Sequence, residues 1–377
     1  MDQSDLPLSW RFTRSPRLRA VPVGSSTALF CERTQALFEL NSTARLIWDE
    51  LAAGFDLKSA VQRLEGIGAS RRDAEAIVTP LLDQWLRLGH LVPQEIMAEY
   101  SDSCPTSIAL RIGPLAAELC FVGDADLQSA EAAFGHFAHD NATPHERIGI
   151  VGRKGTDYLF VGDAPVGMAP RTQTIPRLKA LLTEAYCASV HGGFLAHAAL
   201  VSLKGKRVLL SGAPGAGKTT LTLALAASGF AYGGDDIVQI EADGTASGIS
   251  FAAAAKSDAW RLLGNYVTGL EDLPIYERND GKRTRYVVPV DLDNEGPQPI
   301  DVVLLLHRTQ GVDARLDRLT PLQALRVLLE SGYSTRHSVS AQTIEGLATN
   351  LSNATCARFV YDGLADAVAL IKKVVHE

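Results

Sequence analysis

Residues 212–236, GAPGAGKTTLTLALAASGFAYGGDD, carry the side chains whose types and spacing could do chemistry. GAPGAGKT matches G-x-x-x-x-G-K-[ST] in full. Gly212 and Gly217 allow a backbone to wrap closely around phosphate groups. Ala213, Pro214, Gly215 and Ala216 lie between them, and Thr220 follows at the helix start; the N–H groups of such a loop point at the anion. Lys218 is expected to bridge the β- and γ-phosphates and to take part in catalysis, and the Thr219 hydroxyl to bind Mg²⁺. The flanks agree: RVLLSG reads as a strand, TTLTLALAAS as a helix, and Gly229 as its stop. ATP and Mg²⁺ are the expected ligands. GTP stays open, because a loop of this kind reads phosphates and not the base.

Asp235 and Asp236 close the stretch. Adjacent carboxylates beside a triphosphate need cations or protons to be tolerated. One can hold Mg²⁺ while the other takes a proton from an incoming hydroxyl. Gly233 and Gly234 before them would let the chain come close to the phosphates. The other reading is a polar turn ahead of a hairpin, IVQIEADGTASGIS, whose turn signal is Asp243-Gly244.

HAALVSLKGKRVLLSG, the loop, and SGFAYGGDD together resemble the catalytic half of the HPr kinase/phosphorylase family, without gaps from His197 through Asp236. The resemblance implies an α/β P-loop kinase domain of the HPr kinase/PEP carboxykinase type with a mixed sheet. It implies Asp235 as general base toward a hydroxyl, Asp236 near the metal and His197 near the reacting phosphate. A core histidine at a strand start is the other reading of His197. His191 does not keep the family spacing and reads as an exposed helix end. The family's E-I-R-G-L-G stretch is missing; SFAAAAKSDAWRLLGNY stands there instead. HPr as acceptor and the reverse phosphorylase activity are therefore not implied. The region is more similar to HPr-kinase-related proteins encoded with peptide-tailoring enzymes, lasso-peptide kinases among them. Lys256 and DGKRTRYVVP, with Arg283 and Arg285, resemble the basic residues that flank the site in those relatives. Such cations could neutralise transition-state charge at the nucleotide, or could simply be solvated.

The rest of the chain must position these groups. Its 377 residues suffice for two or three domains, and 46 % hydrophobic against 21 % charged residues is a globular balance. A net charge of −7 argues against a nucleic-acid partner, which requires a basic face. The opening MDQSDLPLSWRFTRS has no apolar signal region, and no run approaches the roughly 18 apolar residues of a membrane span. Cysteines at 31, 104, 120, 187 and 356 show no metal or redox spacing, so reduced, mostly buried thiols in a cytoplasmic protein are expected. His136, His139 and His145 read as a solvated helix face rather than metal ligands.

LRAVPVG, TALFCER and QALFELN read as three strands. STARLIWDELAAG follows as a helix capped by Asn41 or Ser42, then a helix in DLKSAVQRLEG, then a third from Ser70 to Gly89. Pro80 should bend or split the third. ALFELNSTARLIWDEL and LLDQWLRLGHL resemble the PqqD family of peptide-recognition domains, over about residues 16–93. That resemblance implies an α+β, winged-helix-like domain in residues 1–95 that binds an extended peptide as an added strand beside its sheet and against the third helix. A packing or dimerisation domain is the other reading. Residues 94–104 read as a polar linker, 105–175 as a small α/β subdomain, and 176–377 as the kinase domain. In that last part IPRLKALLTEAYCAS, TPLQALRVLLESG and GLADAVALIKKVVHE read as helices, and IDVVLLLHR as a central strand.

The expected function is transfer of the γ-phosphate of ATP to a Ser or Thr hydroxyl of a peptide, a ribosomal precursor peptide by the resemblance, recruited by the N-terminal domain. Tethering raises its local concentration at the site. Two alternatives stand: a small-molecule hydroxyl kinase with a structural N-terminal domain, and a nucleotide-gated adaptor that binds peptide and transfers nothing. Homo-oligomer formation is a further expectation by resemblance.

Overall fold

The computed structural model describes residues 9–24, 26–102, 104–139, 143–333 and 339–376. These form two units. One holds the described residues up to Arg111 with Ala116–Ile175; the other holds Ile112–Leu115 and the residues from Pro176 on. The architecture is α/β, with both parallel and antiparallel strand pairs.

The first unit begins with β1 (Phe12–Arg14), β2 (Leu18–Val23), β3 (Ser26–Cys31) and β4 (Ala36–Leu40). There follow α1 (Ser42–Ala52), α2 (Leu57–Glu65), α3 (Arg71–Arg87), β5 (Leu91–Pro93) and α4 (Gln94–Asp102). The three expected strands form an antiparallel sheet in the order β2-β3-β4. The three expected helices start where short polar side chains can accept a free N–H. Asn41 accepts from Ala44, Asp56 from Ser59 and Ser70 from Asp73. Each cap is worth about 1 kcal/mol. Pro80 does not split α3. The helix keeps Val78, Leu82 and Trp85 in the core, with Trp85 edge-on to Trp48 at 5.3 Å, and that packing offsets the missing N–H.

Two features depart from expectation here. β1 and β5 pair antiparallel, Phe12 opposite Pro93, across the helices that separate them in sequence. The expected linker is the helix α4, which buries Ile96 and Tyr100. Its polar residues occupy the outer face, and two apolar positions four apart anchor the inner one.

The unit continues with β6 (Thr106–Ile112), β7 (Leu115–Gly123), α5 (Leu127–Phe134), β8 (Glu146–Arg153), β9 (Thr156–Val161) and β10 (Ala164–Pro170). Their sheet runs β10-β9-β8-β7-β6. β10 was not expected; its Pro and Gly content hides a strand whose Ala164, Met168 and Ala169 are buried. A single hydrophobic cluster runs from Phe12 through α1–α4 to Phe160 and Met168. Cys104 and Cys120 are joined in a disulfide, with Cα atoms 5.7 Å apart. This corrects the expectation of reduced thiols for that pair. Their separation of 16 residues shows no pattern, and only the pairing of β6 with β7 brings them together. Cys356 is buried, and Cys31 and Cys187 are half-buried thiols.

His90 is 2 % exposed, lies edge-on to Phe38 and has no partner for Nδ1. Burial pushes its imidazole from the ordinary 6.5 down to about 4. The unfolded chain binds this proton first, so stability falls as pH drops through 6.5 and levels off near 4. The full loss is about 3 kcal/mol. Urea unfolding followed by tryptophan fluorescence should show it, since Trp10, Trp48 and Trp85 all lie in this unit. His90→Leu should flatten that part of the pH dependence.

α6 (Thr174–Ser189) leads into the second unit, followed by β11 (Phe194–Ala196), β12 (Ala199–Leu203), β13 (Lys206–Ser211) and α7 (Lys218–Ala226). Next come β14 (Ala231–Gly234), β15 (Val238–Ile240), β16 (Ala246–Gly248), β17 (Ala253–Lys256), α8 (Trp260–Leu263), β18 (Tyr276–Glu277) and β19 (Arg283–Val287). The chain closes with β20 (Val302–Arg308), β21 (Arg315–Arg318), α9 (Pro321–Glu330), α10 (Ala341–Asn353), β22 (Thr355–Tyr361) and α11 (Leu364–His376). The main sheet runs β14-β12-β13-β20-β22-β21. It is parallel at β13/β20 and β20/β22 and antiparallel elsewhere. β20 is central, as its unbroken apolar run requires. α9 starts with the capping box of Thr320 and Gln323 and has Pro321 in its first turn. Among the described residues no helix is long and apolar enough to cross a membrane.

Candidate active site

β13 delivers Ser211 to the loop, and α7 receives the chain at Lys218. This is the strand, loop and helix that a phosphate cradle needs. Gly217 has φ +91°, and a Cβ there would stand 2.8 Å from the Tyr361 hydroxyl. That hydroxyl donates to the Ala216 carbonyl at 3.1 Å and braces the loop from the end of β22. A Cβ at Gly212 would stand 3.2 Å from the Leu306 carbonyl. Ala213, Pro214 and Gly215 are exposed at the loop tip, while Thr219 and Thr220 are half-buried in the first turn of α7.

Lys218 is 7 % exposed, and its Nζ donates to the Gly212 carbonyl at 2.8 Å. Burial pushes its ammonium below the usual lysine range; the charges of Asp236 and Asp235 oppose this, and Lys256 adds to it. Lys218 thus feels the charges of both aspartates and of Lys256. Lys256 ends β17 opposite Thr284 of β19. Arg285 points its guanidinium elsewhere. It donates to the Leu270 carbonyl at 2.7 Å and stacks over the Trp260 ring at 4.4 Å.

The aspartates follow directly on the end of β14. Gly233 and Gly234 let β14 pack closely against its neighbours. A Cβ at Gly233 would meet the Leu200 carbonyl at 3.0 Å, and one at Gly234 the Ile249 carbonyl at 2.3 Å. The two aspartates then face different partners. Asp235 is 4 % exposed; its Oδ1 accepts from the Tyr232 hydroxyl at 3.1 Å and lies 3.9 Å from Lys179 Nζ. Asp236 is more open, with 38 % of its side chain exposed. Its Oδ1 is 3.0 Å from His197 Nδ1 and accepts from the Tyr333 hydroxyl at 3.2 Å.

His197 Nδ1 also lies 3.1 Å from the Asp236 carbonyl. Both Asp236 oxygens can only accept, so Nδ1 is the donor to them. Burial pushes the Asp236 carboxyl up. The His197 hydrogen bond, the Lys179 charge and the Tyr333 hydroxyl outweigh it and hold the group well below the usual carboxylate range. His191 is exposed just beyond α6.

These residues fit the expected ligands. A side chain at Gly217 would collide with the Tyr361 hydroxyl that braces the loop, and the buried Lys218 ammonium bonds the Gly212 carbonyl at the loop's start. Among the described residues no three His, Cys, Asp or Glu side chains form a metal cluster. Mg²⁺ suits such a site, because it takes one or two protein oxygens and completes its shell with phosphate and water.

Lys179, Tyr232, Tyr333 and Tyr361 are site residues that sequence reasoning missed. Lys179 had a signal. It lies on the buried stripe of α6 with Ile175, Leu178, Leu182 and Tyr186, where a lysine needs a partner. The three tyrosines had none.

No sequence profile of a known protein family matches this chain, and no curated protein matches it. Among solved structures the chain is similar to the Hpr(Ser) kinase/phosphatase from Coxiella burnetii. Identity is 12 % over 48 % of this chain and 88 % of that one, with a TM-score of 0.23. The functional reading rests on the geometry of the site.

Proposed function

We propose that this protein is an ATP- and Mg²⁺-dependent kinase that phosphorylates a Ser or Thr hydroxyl of a peptide recruited by its N-terminal region. The observation that carries the reading is geometric: β13, a glycine loop and α7 with the buried Lys218 bonded to the Gly212 carbonyl, and an aspartate pair just beyond β14 of the same sheet. A base for a hydroxyl and a cradle for a phosphate are what phosphoryl transfer to an alcohol requires.

When bound, MgATP supplies the γ-phosphoryl group and the cation that neutralises charge on its oxygens. The loop from Gly212 to Gly217 and Lys218 would hold the phosphates, and Thr219 and Asp236 would hold the cation. Asp235 Oδ1 is engaged by Tyr232, which leaves Oδ2 to take the proton of the acceptor hydroxyl. His197 favours the ionised form of Asp236 through its Nδ1 hydrogen bond, and its Nε2 would be free to meet the reacting phosphate. Lys256 adds positive charge beside Lys218.

Peptide recruitment rests on the resemblance to PqqD-type domains and on the form of the first sheet. β4 is one of its edges, and edge strands accept an added strand. Leu37 on β4 is 62 % exposed and Ile77 on α3 is 40 % exposed, so apolar side chains are offered to a ligand.

Intact mass spectrometry tests the reading. The full chain is incubated with MgATP and Ser/Thr peptides, and separately with small alcohols. One added phosphate on a peptide is the expected result. Phosphate on small alcohols alone would replace it with a small-molecule kinase. Bound ATP with no transfer to anything would leave an adaptor.

A further inference from the structure

We propose that Lys179 is a positioning residue for Asp235: its ammonium, held in the wall of the site, neutralises and orients that one carboxylate. The inference rests on the phosphoryl-transfer reading and adds a residue to it. Lys179 projects from α6, a helix that contributes nothing to the phosphate loop. Its residue exposure is 8 %. Nζ donates to the Ala252 carbonyl at 3.1 Å and stands 3.9 Å from Asp235 Oδ1. The rings of Phe251 and Tyr286 each lie 5.8 Å from it, and both rings favour a cation. The ammonium is therefore fixed from several sides. The flexible stem of an exposed lysine would not hold this position.

The charge arrangement explains why such a residue is needed. Adjacent aspartates beside a triphosphate repel each other and the nucleotide. Here the pair is divided. By contact, Asp236 has His197 and Tyr333, and Asp235 has Tyr232 and the Lys179 ion pair, although the Lys179 charge is also felt at Asp236. A buried carboxylate whose cationic partner is removed becomes an uncompensated charge, and it relieves this by turning or by recruiting another partner. Oδ2 would then leave the direction in which it meets an acceptor hydroxyl. Displacement of a reacting group by about 1 Å costs on the order of 100-fold in rate.

A double-mutant cycle between Lys179→Met and Asp235→Asn tests this, with ADP release from MgATP in the presence of Ser/Thr peptides and small alcohols as acceptors, and thermal unfolding, as readouts. Lys179→Met is expected to lower kcat about 100-fold with KM for ATP little changed. It should have almost no further effect on kcat in the Asp235→Asn background, because Lys179 acts through Asp235. Lys179→Arg, which keeps the charge, should retain most of the rate. If Lys179→Met does not fold alone, the Lys179→Arg variant decides: a loss as deep as that of Asp235→Asn overturns the proposal. Coupling in thermal stability with unchanged kcat also overturns it, leaving Lys179 a purely structural ion pair. Wild-type protein that binds MgATP and releases no ADP removes the phosphoryl-transfer reading, and this role falls with it.

Discussion

Asp235→Asn is expected to lower phosphoryl transfer by about 10²–10⁴-fold while MgATP still binds. The carboxylate sits outside the phosphate loop, and asparagine keeps its size and can still accept from the Tyr232 hydroxyl at Oδ1. What it cannot do is take a proton. Lys218→Ala should behave differently and lose nucleotide binding and turnover together. Its ammonium heads α7 inside the loop, where burial in a low-dielectric setting strengthens its hold on an anion. Titration calorimetry with MgATP beside initial rates of ADP release separates the two. Equal loss of binding in both variants would place Asp235 in the nucleotide cradle. Unchanged turnover in Asp235→Asn would remove it as the base.

Arg207→Met is expected to destabilise the second unit by about 3–5 kcal/mol. Arg207 is 1 % exposed and lies in β13, the strand that launches the phosphate loop. Its guanidinium donates to the Ala246 carbonyl, to Asp293 Oδ1 at 3.0 Å and to the Glu295 carbonyl at 3.1 Å. The Asp293 side chain is 2 % exposed, so removing the arginine strands its charge. The loss should lower Tm by roughly 10 °C for a unit of this size. Arg207→Met with Asp293→Leu should recover much of it, because replacing both ions by apolar groups costs far less than breaking the pair. Scanning calorimetry of the variants checks both statements. A single variant as stable as wild type would show that the pair adds nothing.

Much of the fold was legible in the chain. Periods of two and of 3.6, with Asn41, Asp56, Ser70 and Thr320 as helix starts, placed the main helices and the first sheet. Such signals lie within a few residues of one another. The elements that were missed draw their stability from distant partners. β1 exists because β5 pairs with it, and α4 because Ile96 and Tyr100 reach a core built by other elements. The union of Cys104 with Cys120 has the same origin.

The candidate site divides in the same way. The strand, loop and helix of the candidate cradle were readable because one short stretch of chain builds all three, so spacing along the chain is spacing in space. By itself the sequence determined this cradle and the aspartate pair that follows it. Only the tertiary structure decided what each aspartate faces. Lys179 comes from α6, Tyr333 from beyond α9 and Tyr361 from the end of β22. Tyr333 meets Asp236 across 97 positions and Tyr361 meets Ala216 across 145. Electrostatic partnership depends on distance through space and on burial, and neither is written in local spacing.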